Sequence, residues 1–164
     1  MPGDPRYRFR VAEADGVVAG FAIAFAALED LWLLEYMAVS PERRNGGLGA
    51  RLFAAVRPER GVLLVETESE REACPERELR VRRKTFYRRL GCREVEGLDY
   101  LLPLPGDGPP PLIDILALGA GEAVALGTLR AWLTAVYVGA YDCTSDDARI
   151  GRMLAPLPDP VRLA

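Results

Sequence analysis

The stretch 31–39 constrains the fold more than any other part of this sequence, because apolar residues occupy positions of both parities along it. A strand with that pattern is buried between two layers, so the stretch predicts a central strand with helices on both faces of its sheet. Glu35 is its only charged residue. The strand is expected to end at Ser40-Pro41, where a charged, glycine-rich loop over 42–49 begins.

The order of the remaining elements favours a mixed sheet. Stretches 7–12 and 17–25 are rich in β-branched and aromatic residues, and the Asp15-Gly16 pair between them suits a tight hairpin turn. Early hairpins indicate antiparallel pairing, whereas a strand–helix–strand middle indicates parallel pairing. We therefore expect an α/β (α+β) fold with a mixed, mostly antiparallel central sheet and helices on both faces. Further predicted elements are a helix from Leu48, a strand over 62–65, a helix over 79–90 and strands over 92–104 and 112–118.

The character of the chain changes after residue 119. Apolar residues recur at helical spacing from Ala123 to Val136, which predicts a long helix to about Tyr141. A short helix to about Leu154 and a proline-punctuated, fraying tail are expected after it. The interpretation is a core over 1–119 and a C-terminal helical extension over 120–164, packed on the core or on a partner subunit.

The chain contains no histidine among its 164 residues, and this excludes several kinds of site. A Ser-His-Asp triad, a Cys-His dyad and a histidine-ligated metal are all impossible. The cysteines Cys74, Cys92 and Cys143 are far apart and odd in number, which argues against a disulfide scaffold or a zinc site. We expect no metal, so any proton transfer falls to carboxylates, tyrosine, cysteine, lysine or water.

The charge and the hydropathy of the sequence limit the kinds of partner that the protein is expected to bind. The net charge of −3 does not indicate a nucleic-acid surface. No apolar run reaches the roughly 18–20 residues that span a bilayer, and the N-terminus lacks the features of a secretion signal. We expect a cytoplasmic protein with neither nucleic acid nor membrane as a partner.

The loop after the central strand carries the clearest functional signal, Val-Ser-Pro-Glu-Arg-Arg-Asn-Gly-Gly-Leu-Gly-Ala over 39–50. Unpaired backbone N–H groups at a helix start, together with the helix dipole, favour a phosphate. Arg43 and Arg44 add positive charge nearby. A plain strand-to-helix turn is the alternative interpretation. The loop lacks Gly-Lys-Ser/Thr and GxGxxG, so neither a nucleotide P-loop nor a Rossmann loop is favoured.

The pattern Arg44-x-x-Gly47-x-Gly49 resembles the Arg/Gln-x-x-Gly-x-Gly/Ala signature of the GNAT superfamily of acyl-CoA-dependent N-acetyltransferases. The stretch 35–42 is similar to the strand and turn that lead into that loop in the family. The segment 86–92 resembles the Phe-Tyr-x-x-x-Gly-Phe segment that ends a later family helix. The stretch 15–21 resembles the early hairpin, and the matches follow family order over roughly 7–104.

Several departures from the family pattern affect the expectations. Asn45 and Gly46 stand where many members carry glycine and a basic residue, and Arg80 and Arg83 stand where Asn and Ala are frequent. Members usually have a strand and one or two helices before the hairpin, but only a few residues precede it here. We expect the helices of 120–164 to cover the sheet face left open, within a two-fold homodimer.

The resemblance implies acetyl-CoA as the cosubstrate and assigns its contacts. Backbone groups of Val39 are expected to pair with the pantetheine arm, and the N–H of Met37 to face the acyl oxygen. N–H groups from Asn45 to Ala50 are expected to hold the pyrophosphate, with Arg44 organising the loop. The implied cofactor-binding residues are Met37, Val39, Arg44, Asn45, Gly46, Gly47, Gly49 and Ala50.

The implied reaction is direct attack of a primary amine, on a small molecule or a peptide, on the thioester. Tyr87 fits the general acid for the thiolate, although an amphipathic core tyrosine is the alternative. Glu35 is the first choice of base, because burial in an apolar strand raises a carboxyl pKa. Its alternative is a strand-end charge that reaches solvent or pairs with an arginine. Glu66 is the second choice of base, and water remains open.

Two wider alternatives stand beside this interpretation. A non-catalytic acyl-CoA-binding or regulatory module would keep the loop without needing the acid and base, and an interaction protein would need only the fold. The acidic stretch 66–78 either attracts a cationic amine or forms a solvated loop paired with the arginines that follow, and the second is favoured.

Overall fold

The structure is a computed structural model that describes residues 4–44, 46–104 and 111–164. The strands are β1 Tyr7–Ala14, β2 Val17–Leu28, β3 Leu31–Val39, β4 Val62–Glu68, β5 Arg93–Glu94, β6 Ile113–Leu118, β7 Ala123–Val124 and β8 Val161–Arg162. The α-helices in the described ranges are α1 Leu48–Val56, α2 Arg77–Arg89, α3 Leu126–Tyr141 and α4 Ala148–Leu154.

Six strands form the main sheet in the order β1-β2-β3-β4-β6-β5, and β7 and β8 form a separate pair. Only β3 and β4 run parallel; every other neighbouring pair in the main sheet is antiparallel. The β1–β2 hairpin turns at Asp15 and Gly16, whose φ angles of 56° and 74° suit the predicted tight turn. The predicted mixed, mostly antiparallel sheet is confirmed.

Helices cover both faces of this sheet, as predicted. On the face called here the α1 face, α1 and α2 pack against alternate residues of the central strands. On the opposite face, called here the α3 face, α3 packs on the sheet and α4 packs on α3. The α1-face core includes Leu34, Leu52, Phe53, Leu63, Val65, Tyr87 and Leu116. The α3-face core includes Leu31, Leu33, Leu64, Ile115, Leu129, Leu133, Tyr137, Ile150 and Met153.

The strand predicted over 92–104 is wrong for most of its length. Only Arg93–Glu94 pairs as a strand with β6, and Val95 and Tyr100 form isolated bridges. The chain turns at Gly97, where φ is 74°, so the alternating apolar residues beyond it pack into the α3-face core instead of extending a ladder. A strand-like sequence pattern was therefore not enough to identify a strand in this stretch.

Two further expectations about the C-terminal stretch are wrong. The long helix begins at Leu126, because Ala123 and Val124 pair with β8 as strand β7. The tail does not fray: Val161 and Leu163 are buried, and Ala164 exchanges backbone hydrogen bonds with Glu94 at 2.7 and 3.0 Å. Burial of these apolar side chains holds the proline-rich end in place.

Candidate active site

The two parallel strands of the sheet separate part-way along their length. β3 and β4 pair over four positions, from Leu31 opposite Val62 to Leu34 opposite Val65. Beyond that point residues 35–39 and 66–68, which the structure describes in full, make no pairing with each other. Each strand stays paired on its outer side. The resulting cleft exposes unpaired backbone along β3, an edge that an extended ligand can join as an additional strand.

A β-bulge lies where the cleft opens. Leu34 is opposite Ala24 and Tyr36 is opposite Ile23, so Glu35 is the extra residue on β3. Bulges re-aim side chains and are common beside active sites. Beyond the bulge, Met37 and Val39 continue along the β3 wall of the cleft, and their side chains pack against the α1-face core.

The helix that follows β3 begins with free backbone donors. Gly47 is its N-cap and has φ of 75°, a left-handed conformation that glycine adopts without strain. No described side chain caps this end. The first intrahelical bond runs from the N–H of Arg51 to the carbonyl of Gly47, at 3.1 Å, so the N–H groups of Leu48, Gly49 and Ala50 have no acceptor within the helix. Such donors suit an anion.

The rest of the loop is open to solvent. Gly46, Gly47 and Arg44 are exposed, and Gly49 packs with its Cα side towards the ring of Phe86. Arg43 forms an ion pair with Asp15 in the β1–β2 turn, so its charge is partly neutralised. Asn45, predicted to contribute an N–H group, lies outside the described residues.

Tyr87 sits on the α1 face of the sheet. It is 6% exposed, and its ring packs against Phe53 and Phe86 with centroid distances of 5.6 and 5.2 Å. Burial raises the pKa of Tyr87 to about 12, so the hydroxyl is protonated at neutral pH.

Two carboxylates flank the opening of the cleft on the α3 face. Glu35 follows Leu34 and Glu66 follows Val65, immediately past the last paired position of β3 and β4. Burial raises the pKa of Glu35, the nearby charge of Glu66 raises it further, and a hydrogen bond from Tyr7 opposes both effects. The acid predicted from the sequence and the predicted bases thus lie on opposite faces of the sheet.

Glu66 is held by two tyrosines. The hydroxyl of Tyr100 donates to its Oε1 at 2.6 Å, and the hydroxyl of Tyr141 donates to its Oε2. Burial raises the pKa of Glu66, and the two phenol hydrogen bonds partly offset that rise because they favour the ionised form.

The elements that form this site lie within the part of the chain that matches a known family. A family model described as an acetyltransferase (GNAT) domain matches residues 5–94, more than half of the chain. The chain belongs to the GNAT superfamily. A search of curated proteins gave no match.

Solved GNAT structures share this fold. A protein described as a GNAT-family acetyltransferase from Bacteroides thetaiotaomicron is 22% identical with a TM-score of 0.65, covering 85% of this chain and 75% of its own. A GNAT-family acetyltransferase from Elizabethkingia anophelis with acetyl-CoA bound is 14% identical (TM-score 0.52; 70% and 77% covered). The ribosomal-protein-S18-alanine N-acetyltransferase of Escherichia coli is 23% identical (TM-score 0.50; 73% and 74% covered).

Three of the six glutamates in the acidic stretch 66–78 of this GNAT protein pair with α2, in line with the favoured interpretation. Glu68 pairs with Arg83 at 2.9 Å, and Glu70 pairs with Lys84 at 2.8 Å. Glu72 pairs with Arg80. Glu66 differs from these three because its partners are tyrosines and it faces the cleft.

Sequence reasoning missed the tyrosines around the two carboxylates. Tyr100 is 34 residues from Glu66, and Tyr141 is 75 residues away. A contact across such a separation leaves no local pattern, so only the fold could reveal it.

One concavity of the described residues lies apart from this site. It encloses about 640 Å³ between the end of β2 and the outer side of α3, and Phe25, Ala131 and Val138 are among its mainly apolar lining. No group of three or more potential metal ligands occurs within the described ranges. None of the helices described is both long and apolar enough to cross a membrane.

Proposed function

We propose that this GNAT protein transfers an acetyl group from acetyl-CoA to a primary amine by direct attack. The observation that carries the proposal is the cleft between β3 and β4, which leads to the free N–H groups of α1 and has Glu35 on one face of the sheet and Tyr87 on the other. Family membership supports acetyl transfer, and solved neighbours with bound acetyl-CoA or coenzyme A support the cosubstrate.

The geometry of the cleft supports the following proposed contacts with the cosubstrate. Backbone groups of Met37 and Val39 form the wall that the pantetheine arm and acyl group follow. The N–H groups of Gly47, Gly49 and Ala50 receive the pyrophosphate, together with those of Asn45 and Gly46. The exposed guanidinium of Arg44 adds positive charge at this loop.

The chemistry assigns one role to each side chain. Glu35 takes a proton from the acceptor ammonium, and the freed amine attacks the thioester carbonyl. As the new C–N bond forms, the nitrogen releases a second proton to water and the C–S bond breaks. Tyr87 gives its hydroxyl proton to the leaving thiolate and regains one from water, while Glu35 returns its proton to solvent. The products are the amide, free coenzyme A and one net proton.

The acceptor is proposed to be an amine on a small molecule or a peptide. The E. coli neighbour is named for an alanine acceptor, and another neighbour is an aminoglycoside 6'-N-acetyltransferase complexed with coenzyme A. Both names describe acetylation of an amine by a protein of similar fold, which supports an amine here.

The test separates cosubstrate binding from chemistry. Gly46→Glu puts a negative charge in the phosphate loop, where a side chain meets only the carbonyl of Arg43 at 3.8 Å. Calorimetry should show acetyl-CoA affinity reduced about tenfold or more, with the neutral Gly46→Gln as the matched control. Tyr87→Phe should lower turnover by about a hundredfold while acetyl-CoA affinity stays unchanged.

Equal acetyl-CoA affinity in Gly46→Glu and Gly46→Gln would show that this loop does not bind the pyrophosphate. Wild-type turnover in Tyr87→Phe would show that Tyr87 is not the general acid. The tight packing of Tyr87 between two phenylalanines favours one alternative, a non-catalytic acyl-CoA-binding module. Acetyl-CoA binding without turnover of any amine would support that alternative.

A further inference from the structure

Glu35 and Glu66 differ from the neighbouring carboxylates in having no cationic partner. Among the described residues no lysine or arginine forms an ion pair with either of them, whereas Glu68, Glu70 and Glu94 each have one. Two acidic groups therefore stand at one opening of the cleft without a positive charge from the protein. A site of this composition attracts a cation from outside.

Glu66 is built to stay in one orientation. It lies at the end of the β3–β4 pairing, and one phenol hydroxyl fixes each of its oxygens, from Tyr100 at 2.6 Å and from Tyr141. A carboxylate has about four lone-pair positions, so two remain for a ligand after both tyrosines have bonded. Glu66 is partly exposed and can be reached.

Glu35 has the opposite character. It stands on a bulge, where the ladder is interrupted, and is also partly exposed. The phenol of Tyr7, on the edge strand β1, acts to lower the pKa of Glu35. Two carboxylates with different supports are suited to two roles, one fixed and one free to exchange a proton.

We propose that Glu66, held by Tyr100 and Tyr141, binds the acceptor as an ammonium and makes the protein selective for cationic amines. Glu35 then removes the proton from the nitrogen that Glu66 has placed beside it. This inference rests on the proposed acetyl transfer for its meaning, but the binding site itself can be measured without turnover.

The proposal gives α3 a part in the site. Tyr141 is the last residue of that helix, and Tyr137, one turn earlier, packs edge-on against both Tyr100 and Tyr141 at 6.0 and 6.4 Å. The aromatic contacts fix the hydroxyls that hold Glu66. Tyr141 is therefore a positioning residue, because it acts on the acceptor only through that carboxylate.

The experiment measures amine binding by NMR titration in the presence of coenzyme A. The probes are matched pairs with and without the positive charge. They are n-butylamine and n-butanol, Nα-acetyl-lysine amide and Nα-acetyl-norleucine amide, and an alanyl peptide with a free or an acetylated N-terminus. The variants are Glu66→Gln, Tyr141→Phe and, as a control on the same helix, Val138→Ala, whose side chain is exposed.

At least one cationic probe should bind the wild-type protein while its neutral analogue does not. Glu66→Gln should weaken that binding about tenfold or more, and Tyr141→Phe by about threefold to fivefold. Val138→Ala should leave it unchanged, and coenzyme A affinity should be the same in all four proteins. In turnover assays Tyr141→Phe should raise the KM for the amine while leaving the KM for acetyl-CoA and the value of kcat unaltered, which a general loss of structure would not do.

Failure of every amine to bind, or equal amine affinity in Glu66→Gln and wild type, would overturn the inference. The proposed function fails separately. An amine that binds through Glu66 and is never acetylated would contradict acetyl transfer and leave this site standing. An amine that Glu66→Gln acetylates with the same KM as the wild type would support acetyl transfer and contradict the role of Glu66.

Discussion

Lys84 lies at the centre of a buried charge network beneath α2. It is 3% exposed, and its Nζ contacts Asp114 Oδ2 at 2.7 Å and a carboxylate oxygen of Glu70 and of Glu94 at 2.8 Å each. Replacing it by the similarly long methionine removes the cation and keeps most of the volume. Asp114, 2% exposed, then retains only Arg71 at 3.0 Å as its cationic partner.

The expected loss of stability follows from the charge of Asp114, which stays buried after Lys84 is replaced. Breaking a buried pair by removing one partner costs about 3–5 kcal/mol, because the remaining charge is uncompensated. Since Arg71 partly compensates the charge of Asp114, Lys84→Met is expected to lower the free energy of unfolding by about 3 kcal/mol, near the lower end of this range. That is a large share of the roughly 5–15 kcal/mol that stabilises a typical domain.

Urea unfolding at neutral pH, followed by circular dichroism, measures this loss. Arg88→Met is the matched control, because Arg88 lies on the same helix and pairs with Glu94 at 2.7 Å but is half exposed. Its free energy of unfolding should fall by less than about 1 kcal/mol. The double variant Lys84→Met with Asp114→Leu should recover part of the loss, because it leaves no buried charge at position 114.

The pH dependence of stability provides a second test of the role of Lys84. The pKa of Asp114 is lowered below its ordinary 3.8 by its hydrogen bonds to Lys84, Ser69 and Arg71, against the effect of burial. Its ionised form therefore contributes stability that is present above pH 3.8 and is lost as the pH falls through the lowered pKa. Lys84→Met lacks much of that contribution, so the gap to wild type should narrow in acid. A loss no larger than that of Arg88→Met, or a gap independent of pH, would refute the reasoning.

Two other predictions concern the site and the assembly. The pKa of Glu35 is raised above its ordinary 4.5, first by burial and then by Glu66, so kcat/KM should rise with pH through an acidic limb above pH 4.5. Glu66→Gln should move that limb to lower pH, and an unmoved limb would exclude Glu35 as the base. Light scattering should show the expected homodimer, and a wild-type monomer would rule the dimer out.

The elements that the sequence predicted well are those whose pattern reports burial directly. The first part of 31–39 is apolar on both parities because both faces of β3 are covered from Leu31 to Leu34. The hairpin turn follows from the backbone freedom that Asp15 and Gly16 allow. The free N–H groups at the start of α1 were predicted from the glycines that precede this helix. These are local properties, and a local pattern is enough to predict them.

The helix α2 shows a feature that local sequence patterns did not predict, namely which of its faces is buried. Its position was predicted, but its buried stripe contains Arg80 and Lys84 as well as Tyr87. Charged residues normally mark the outer face of a helix, so periodicity alone would turn this helix the wrong way. The burial becomes possible because β4, β6 and the loop after β4 supply carboxylates that match these cations. Matching of that kind depends on strand order, which no single stretch encodes.

The acceptor side depends on the fold in the same way. The ring of Phe25 on β2 lies so close to α3 that a Cβ at Gly139 would be 2.8 Å from it. This contact sets the height of α3 above the sheet two residues before Tyr141, whose hydroxyl reaches Glu66. The packing that covers the α3 face and the hydrogen bond that orients Glu66 therefore have one cause. Because a helix added to this face sets the geometry of the acceptor carboxylate, acceptor choice in a fold of this kind can change through packing alone, while the cleft between β3 and β4 and the helix start at Gly47 stay as they are.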